Sequence, residues 1–148
     1  MRSITVRAAV QATPAEVWQR CFVGMNWESW DPDVVRMVDV SGGLVNGTTF
    51  KFEMKEGTKF LNCTLSNVVE ETGFTFGGSA FHGFLCYEGN ISLASGTAGT
   101  TTVTYSFSMG GTVGVLAATA NRDGTLGGAQ RGLENIVALT QGKPLPFP

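Results

Sequence analysis

The chain has 148 residues and a mass of 15.7 kDa, room for one domain over residues 1–148 and too little for two independent cores. It is 43% hydrophobic and only 15% charged, which excludes a disordered charged tail and implies a packed globule. Lys plus Arg number 10 against 12 Asp plus Glu, so no basic stripe exists for nucleic acid, and no apolar run approaches the roughly 20 residues of a membrane helix.

Residues 3–11 alternate, with Ile4, Val6, Ala8 and Val10 on one face, and predict a half-buried strand. This alternating start, which carries Arg7, does not read as a signal peptide. Thr13-Pro14-Ala15-Glu16 has the form of a helix start: Thr13 as cap, Pro14 at the first position and Glu16 completing a capping box. Val17, Trp18, Cys21 and Phe22 continue an apolar stripe that Gly24 ends. Trp27 and Trp30 would share one face of a short helical turn, and Asp31-Pro32 is expected to cap and open another. Val35, Met37 and Val40 lead through a strand to Ser41-Gly42-Gly43, and Asn46-Gly47 signals a hairpin.

A run of strands follows. In residues 48–55, Phe50, Phe52 and Met54 alternate with Lys51, Glu53 and Lys55, so the aromatic set faces inward and Glu53 outward. Residues 59–69 place Leu61, Cys63 and Leu65 on one face. Phe74 and Phe76 precede a Gly77-Gly78 break. Residues 81–94 have their apolar phase at Leu85, Tyr87, Ile91 and Leu93, and residues 100–109 at Val103, Tyr105, Phe107 and Met109. One apolar and one polar face per strand implies an antiparallel sheet with one solvated side. Residues 113–141 switch to a helical period, with Leu126, Leu133 and Val137 on one stripe and Leu116, Thr119, Arg122, Asp123 and Gln130 near it. Its glycines predict either a break near Asp123-Gly124 or a helix lying close to the sheet or a ligand. Residues 143–148 are expected as an extended tail.

The three cysteines, Cys21, Cys63 and Cys86, are odd in number, which implies reduced thiols and a cytoplasmic setting. The one histidine, His82, stands four residues from Cys86, but no CxxC pair accompanies them and no metal is expected. A Ser-His-Asp triad would need the same histidine, and no GxSxG elbow is present.

The order strand, short helices, several strands and one long helix now stands beside four motifs. The opening VRAAVQATPAEVWQRCF resembles the first strand and helix of the START-like (SRPBCC) superfamily. NWESWDPDV is similar to the W-x-x-W-x-P segment of its polyketide cyclase/dehydrase branch, Gly47-Thr48-Thr49-Phe50 to its G-T-x-F, and RGLENIVALTQG (131–142) to its closing helix, which often reads G-L-x-N-L. The resemblance covers about residues 3–142. It implies an α+β helix-grip fold: a curved antiparallel sheet of about seven strands wrapped around a long C-terminal helix, with two short helices after the first strand. It also implies a mostly apolar cavity for a lipid- or polyketide-like ligand, no cofactor, and no universal catalytic residue to carry over.

Expected ligand contacts are Trp30, Phe50, Phe52, Met54, Cys63, Phe76, Leu85, Phe107, Met109, Arg122 and Leu126, although plain core packing is the commoner role of any single Phe. Candidate proton-transfer groups are Tyr87, Tyr105, His82 and Asp31. The tyrosines sit in the apolar phase, where a buried phenol needs a partner. Asp31 before Pro32 is more commonly a cap than a base. His82 falls on the outward phase unless a bulge at Gly83 turns it in. Arg122 inward would suit a carboxylate or enolate, and outward a surface pair with Asp123. Two functions follow: a binding protein for a small hydrophobic metabolite, as monomer or homodimer, or a cyclase or dehydratase that orients such a molecule and shuttles protons. An interaction module, the third role known in the superfamily, would need a partner surface that the sequence does not display.

Overall fold

The computed structural model describes residues 2–56, 60–112 and 122–148. Seven strands, β1 (Arg2–Val10), β2 (Val34–Val38), β3 (Thr49–Met54), β4 (Phe60–Val69), β5 (Gly73–Ala80), β6 (Leu85–Ser95) and β7 (Thr101–Gly110), form one antiparallel sheet in the order β1-β7-β6-β5-β4-β3-β2. Strands β2 to β7 each pair with their sequence neighbour, and β1 closes the sheet on β7 with Val6 opposite Tyr105. The alternation sets the faces as expected: Phe50, Phe52, Cys63, Leu65, Phe74, Phe76, Tyr87, Ile91, Val103 and Tyr105 are all buried. Against them lies the terminal helix α2 (Arg122–Thr140), completing the α+β helix-grip arrangement.

Helix α1 (Pro14–Val17) starts as its sequence dictates. Thr13 is extended and its Oγ1 accepts the Glu16 N–H at 3.3 Å. Only half of the capping box forms, because the Glu16 carboxylate takes the Thr13 hydroxyl at 3.4 Å. The helix then widens into a π turn over Trp18–Phe22, which buries Trp18, Cys21 and Phe22 together. A tight turn over Trp27–Ser29 is the second short helix. Pro32 opens no helix, contrary to expectation. The Asp31 carboxylate accepts the Asp33 N–H at 3.0 Å, the chain turns once, and Val34 already pairs with Met54.

Two strand expectations change. Gly47 does turn at φ +88°, but within a loop of residues 39–48 rather than a two-residue hairpin. That loop is tied to β4, with Gly47 N donating to Leu65 O at 2.9 Å and Val68 N to Asn46 Oδ1 at 2.8 Å. Strand β6 begins at Leu85, because residues Phe81–Gly83 form the turn from β5.

The helical stripe is also displaced from its expected centre. Leu133 (1% exposed) and Ile136 (0%) point at the sheet, whereas Leu126 and Val137 are half-buried and Gln130 is exposed. Helix α2 is described from Arg122, just before the expected break, and runs unbroken to Thr140; Leu116 and Thr119 lie outside the described residues. Its glycines serve close approach. A Cβ at Gly132 would lie 3.5 Å from the Trp30 ring, and one at Gly128 would collide with Asp33 at 2.5 Å. The tail is not free, since Phe147 bonds back to Asn135 through both its N–H (3.0 Å) and its C=O (2.7 Å).

Candidate ligand site

The space between sheet and α2 has two halves with different contents. Toward the β6–β7 turn it is filled by aromatic rings. Trp27 is fully buried, stacks on Phe50 at 5.7 Å and meets Phe22, Trp30, Phe52, Phe74 and Phe76 within 6.4 Å. Edge-to-face contacts of this kind add about 0.5–1.5 kcal/mol per pair beyond area burial. Of the expected ligand contacts, Trp30, Phe50, Phe52 and Phe76 therefore belong to a ring-packed core, joined by buried Cys63 and Leu85. Toward the β3–β4 and β5–β6 turns Leu85 and Tyr87 stay buried, but the burial of the other inward side chains falls off. Met54, Leu61, Phe107 and Leu126 lie against the core yet are only half-buried, and Met109 is half-buried as well. The side chains of Arg122 and Asp123 lie outside the described residues.

Polar groups mark the border of the two halves. Tyr87 projects from β6 over Gly78, its cross-strand partner on β5, and its hydroxyl donates to the Asn62 carbonyl of β4. That bond is possible because Gly78 has no side chain: a Cβ there would meet Asn62 O at 2.1 Å. The described β4–β5 ladder runs only as far as Thr64 opposite Gly77, so Tyr87 replaces a missing strand-to-strand bond. Tyr105 is buried (8% exposed), and its ring touches Trp30 at 6.3 Å and Phe76 at 6.4 Å. Its hydroxyl has no hydrogen-bond partner among the described residues. Burial, then the nearby Asp31 and Cys63, holds its ionisation well above the ordinary range. Burial likewise pushes the Cys63 thiol up to about 12, so it stays a neutral thiol.

Asp31 keeps some contact with solvent, yet loss of hydration raises its carboxyl to about 6; the Asp33 N–H, Lys55 and Arg131 oppose the shift and the Asp33 charge adds to it. Its backbone is fixed by Trp30. The Trp30 indole donates to Cys21 O at 3.1 Å, and the Trp30 carbonyl accepts from Asn135 Nδ2 at 2.8 Å. Asn135 (1% exposed) thus joins α2, the Trp30-Asp31 segment and the tail. Sequence reasoning did not single it out, although it occupies the Asn position of the closing-helix motif.

His82 is not part of this group. It is exposed in the Phe81–Gly83 turn with φ +55°, since the strand that was to carry it starts later. Glu53 is turned outward as expected and pairs with Arg36 at 2.7 Å. On that outer face an open groove of about 420 Å³ runs over β3, β4 and β5 beside the Lys51–Asp39 ion pair, with the sheet between it and the inward-facing rings. Among the described residues no three metal-ligating side chains cluster, and no helix is long and apolar enough to cross a membrane.

A family model described as "Polyketide cyclase / dehydrase and lipid transport" matches residues 1–141. The chain belongs to this family. Its fold supports a role in binding a hydrophobic ligand. Among solved structures, the chain is similar to a hypothetical protein of Helicobacter pylori at 13% identity and a TM-score of 0.76, over 94% of this chain and 88% of that one. It is similar to XoxI from Bacillus cereus at 17% identity and a TM-score of 0.69, over 96% and 95%. A conserved protein of Geobacillus kaustophilus gives 16% identity and 0.64, over 95% and 96%. At such identities these structures establish the fold alone. No curated protein matches the chain.

Proposed function

We propose that this polyketide cyclase/dehydrase-family protein binds a small, mostly apolar molecule between the sheet and α2, in the half next to the β3–β4 and β5–β6 turns. The fall in burial along the inner face carries the reading. Rings fill one half, while Met54, Phe107 and Leu126 of the other half pack on the core without being closed over, and Met109 beside them is half-buried. Methionine and aromatic side chains make an adaptable apolar wall. Native mass spectrometry with extraction of retained small molecules tests it, together with Nile red titration of Met109→Trp, which fills that half. The variant should lose dye binding while keeping its circular dichroism. Unchanged dye binding would overturn the placement.

A specific observation favours catalysis as the second reading. Asp31 titrates near 6 within electrostatic reach of the Tyr105 hydroxyl, a pairing suited to proton transfer on a bound carbonyl compound. Tyr87 is less suited, because its hydroxyl is committed to Asn62. In this reading Asp31→Asn abolishes turnover of a poly-β-ketone but leaves its binding in place.

A further inference from the structure

We infer that the ligand carries a neutral oxygen function, a hydroxyl, ketone or ester, seated between the Tyr105 hydroxyl and the Asp31 carboxyl, and that molecules ending in a carboxylate are rejected. The inference rests on the ligand-binding reading above and adds a chemical class to it. Tyr105 is more than nine-tenths buried, and its hydroxyl is an unpartnered donor among the described residues. That hydroxyl keeps a little accessible surface, and a ligand oxygen would take up its hydrogen bond, worth about 0.5–1.5 kcal/mol. Asp31 has one oxygen on the Asp33 N–H; its second has no hydrogen bond among the described residues. The two groups sit in one frame, because Trp30 packs on Tyr105 and is bonded at its indole by Cys21 and at its carbonyl by Asn135.

The surrounding charges decide the class. Asp33, beside Asp31 on its own segment, adds negative charge. From α2, Arg131 is engaged with Asp33 at 3.8 Å, and Lys55, just past β3, is exposed. From β4, Cys63 is a neutral thiol, and from β7 comes Tyr105 itself, also neutral. A ligand carboxylate would therefore meet a carboxylate and a phenol, while the two cations within electrostatic reach of Asp31 are drawn off, Arg131 to Asp33 and Lys55 to solvent. A neutral oxygen accepts from Tyr105 at any ordinary pH, and also from Asp31 once that carboxyl is protonated.

The test is displacement of Nile red, an uncharged dye, from the intact protein by dodecanol, methyl dodecanoate and dodecanoate. Near neutral pH the alcohol and ester should compete at concentrations roughly tenfold or more below dodecanoate, the order expected for like charges a few ångströms apart. Asp31→Asn should bring dodecanoate to within roughly threefold of the alcohol, and Tyr105→Phe should weaken the ester roughly fivefold. Ester binding to the unaltered protein should strengthen as pH falls through about 6, and Asp31→Asn should remove that dependence. Dodecanoate competing as well as dodecanol would overturn the inference and leave the ligand-binding reading standing. If that competition also vanished in Arg122→Gln, the polar contact would move to the start of α2. Failure of the dye and all three compounds to bind would overturn the ligand-binding reading, and the inference with it.

Discussion

Replacing Asp31 by Asn should stabilise this protein at neutral pH and leave it nearly unchanged in acid. Burial raises the Asp31 carboxyl from an ordinary 3.8 to about 6, a shift of about two units. At about 1.36 kcal/mol per unit, the ionised native form is disfavoured by up to about 3 kcal/mol. The sign follows from proton binding. Between pH 3.8 and about 6 the native state holds a proton that the unfolded chain has released, so stability falls as pH rises. The deficit is absent below about pH 4 and complete above about pH 7. Asparagine is isosteric and keeps an oxygen for the Asp33 N–H, so the variant differs chiefly in charge. For a chain of this length about 1 kcal/mol moves Tm by about 2–4 °C, so the gain near pH 7.5 should be about 6–10 °C. Thermal unfolding followed by circular dichroism at pH 4, 5.5 and 7.5 measures it. A Tm difference independent of pH, or a less stable variant at pH 7.5, would refute the electrostatic account. A residue kept at such a cost is one whose acidity serves the site.

The two tyrosines should separate by stability. Tyr87→Phe removes the bond that replaces a β4–β5 link and orphans the Asn62 carbonyl, costing about 1–3 kcal/mol in urea unfolding, whereas Tyr105→Phe should cost under about 0.5 kcal/mol. Equal losses would show that the Tyr105 hydroxyl has a structural partner. Asn135→Leu breaks three hydrogen bonds at once, to Trp30 and twice to Phe147, and should lower stability by about 2–4 kcal/mol and shift tryptophan emission to the red. Removing residues 143–148 should cost less than Asn135→Leu, since the Trp30 bond survives; a larger loss would put the anchoring in the tail. Gly89→Ala should cost about 1–3 kcal/mol, because Phe76, its cross-strand partner, lies where the methyl would go, at 2.2 Å from its ring; a neutral result in urea would mean that the ring moves aside freely.

Much of this was legible in the chain because the signals are local. Period-two alternation put Phe50, Phe52, Cys63, Phe76, Tyr87 and Tyr105 on the inner face, and it survives into the structure because a one-residue slip would expose every one of them. The helix start at Thr13-Pro14 is likewise written in a few neighbouring residues. Errors arose where a local signal met a competing partner. Asp31-Pro32 resembles a helix start, but Val34 was claimed by β3, and the turn at Phe81–Gly83 took His82 out of a strand that looked continuous.

The sequence by itself determined the class of fold, the inward face of β1 and of β3 to β7 but not of β2, where Val34 is buried and Val35 exposed, the scarcity of charge in the interior and the family. Those follow from composition and from the order of side chains along the chain. Tertiary structure alone decided which inward groups are spent and which are free. Nothing in the pattern distinguishes Tyr87 from Tyr105. One reaches a carbonyl on β4 because Gly78 leaves the path open, and the other ends beside Trp30 and Asp31 with no hydrogen-bond partner among the described residues. Asn135 was equally silent, since its partners lie 105 and 12 residues away. Hydrogen bonds and desolvation depend on what the folded chain brings within a few ångströms, and that distance is unrelated to separation along the sequence.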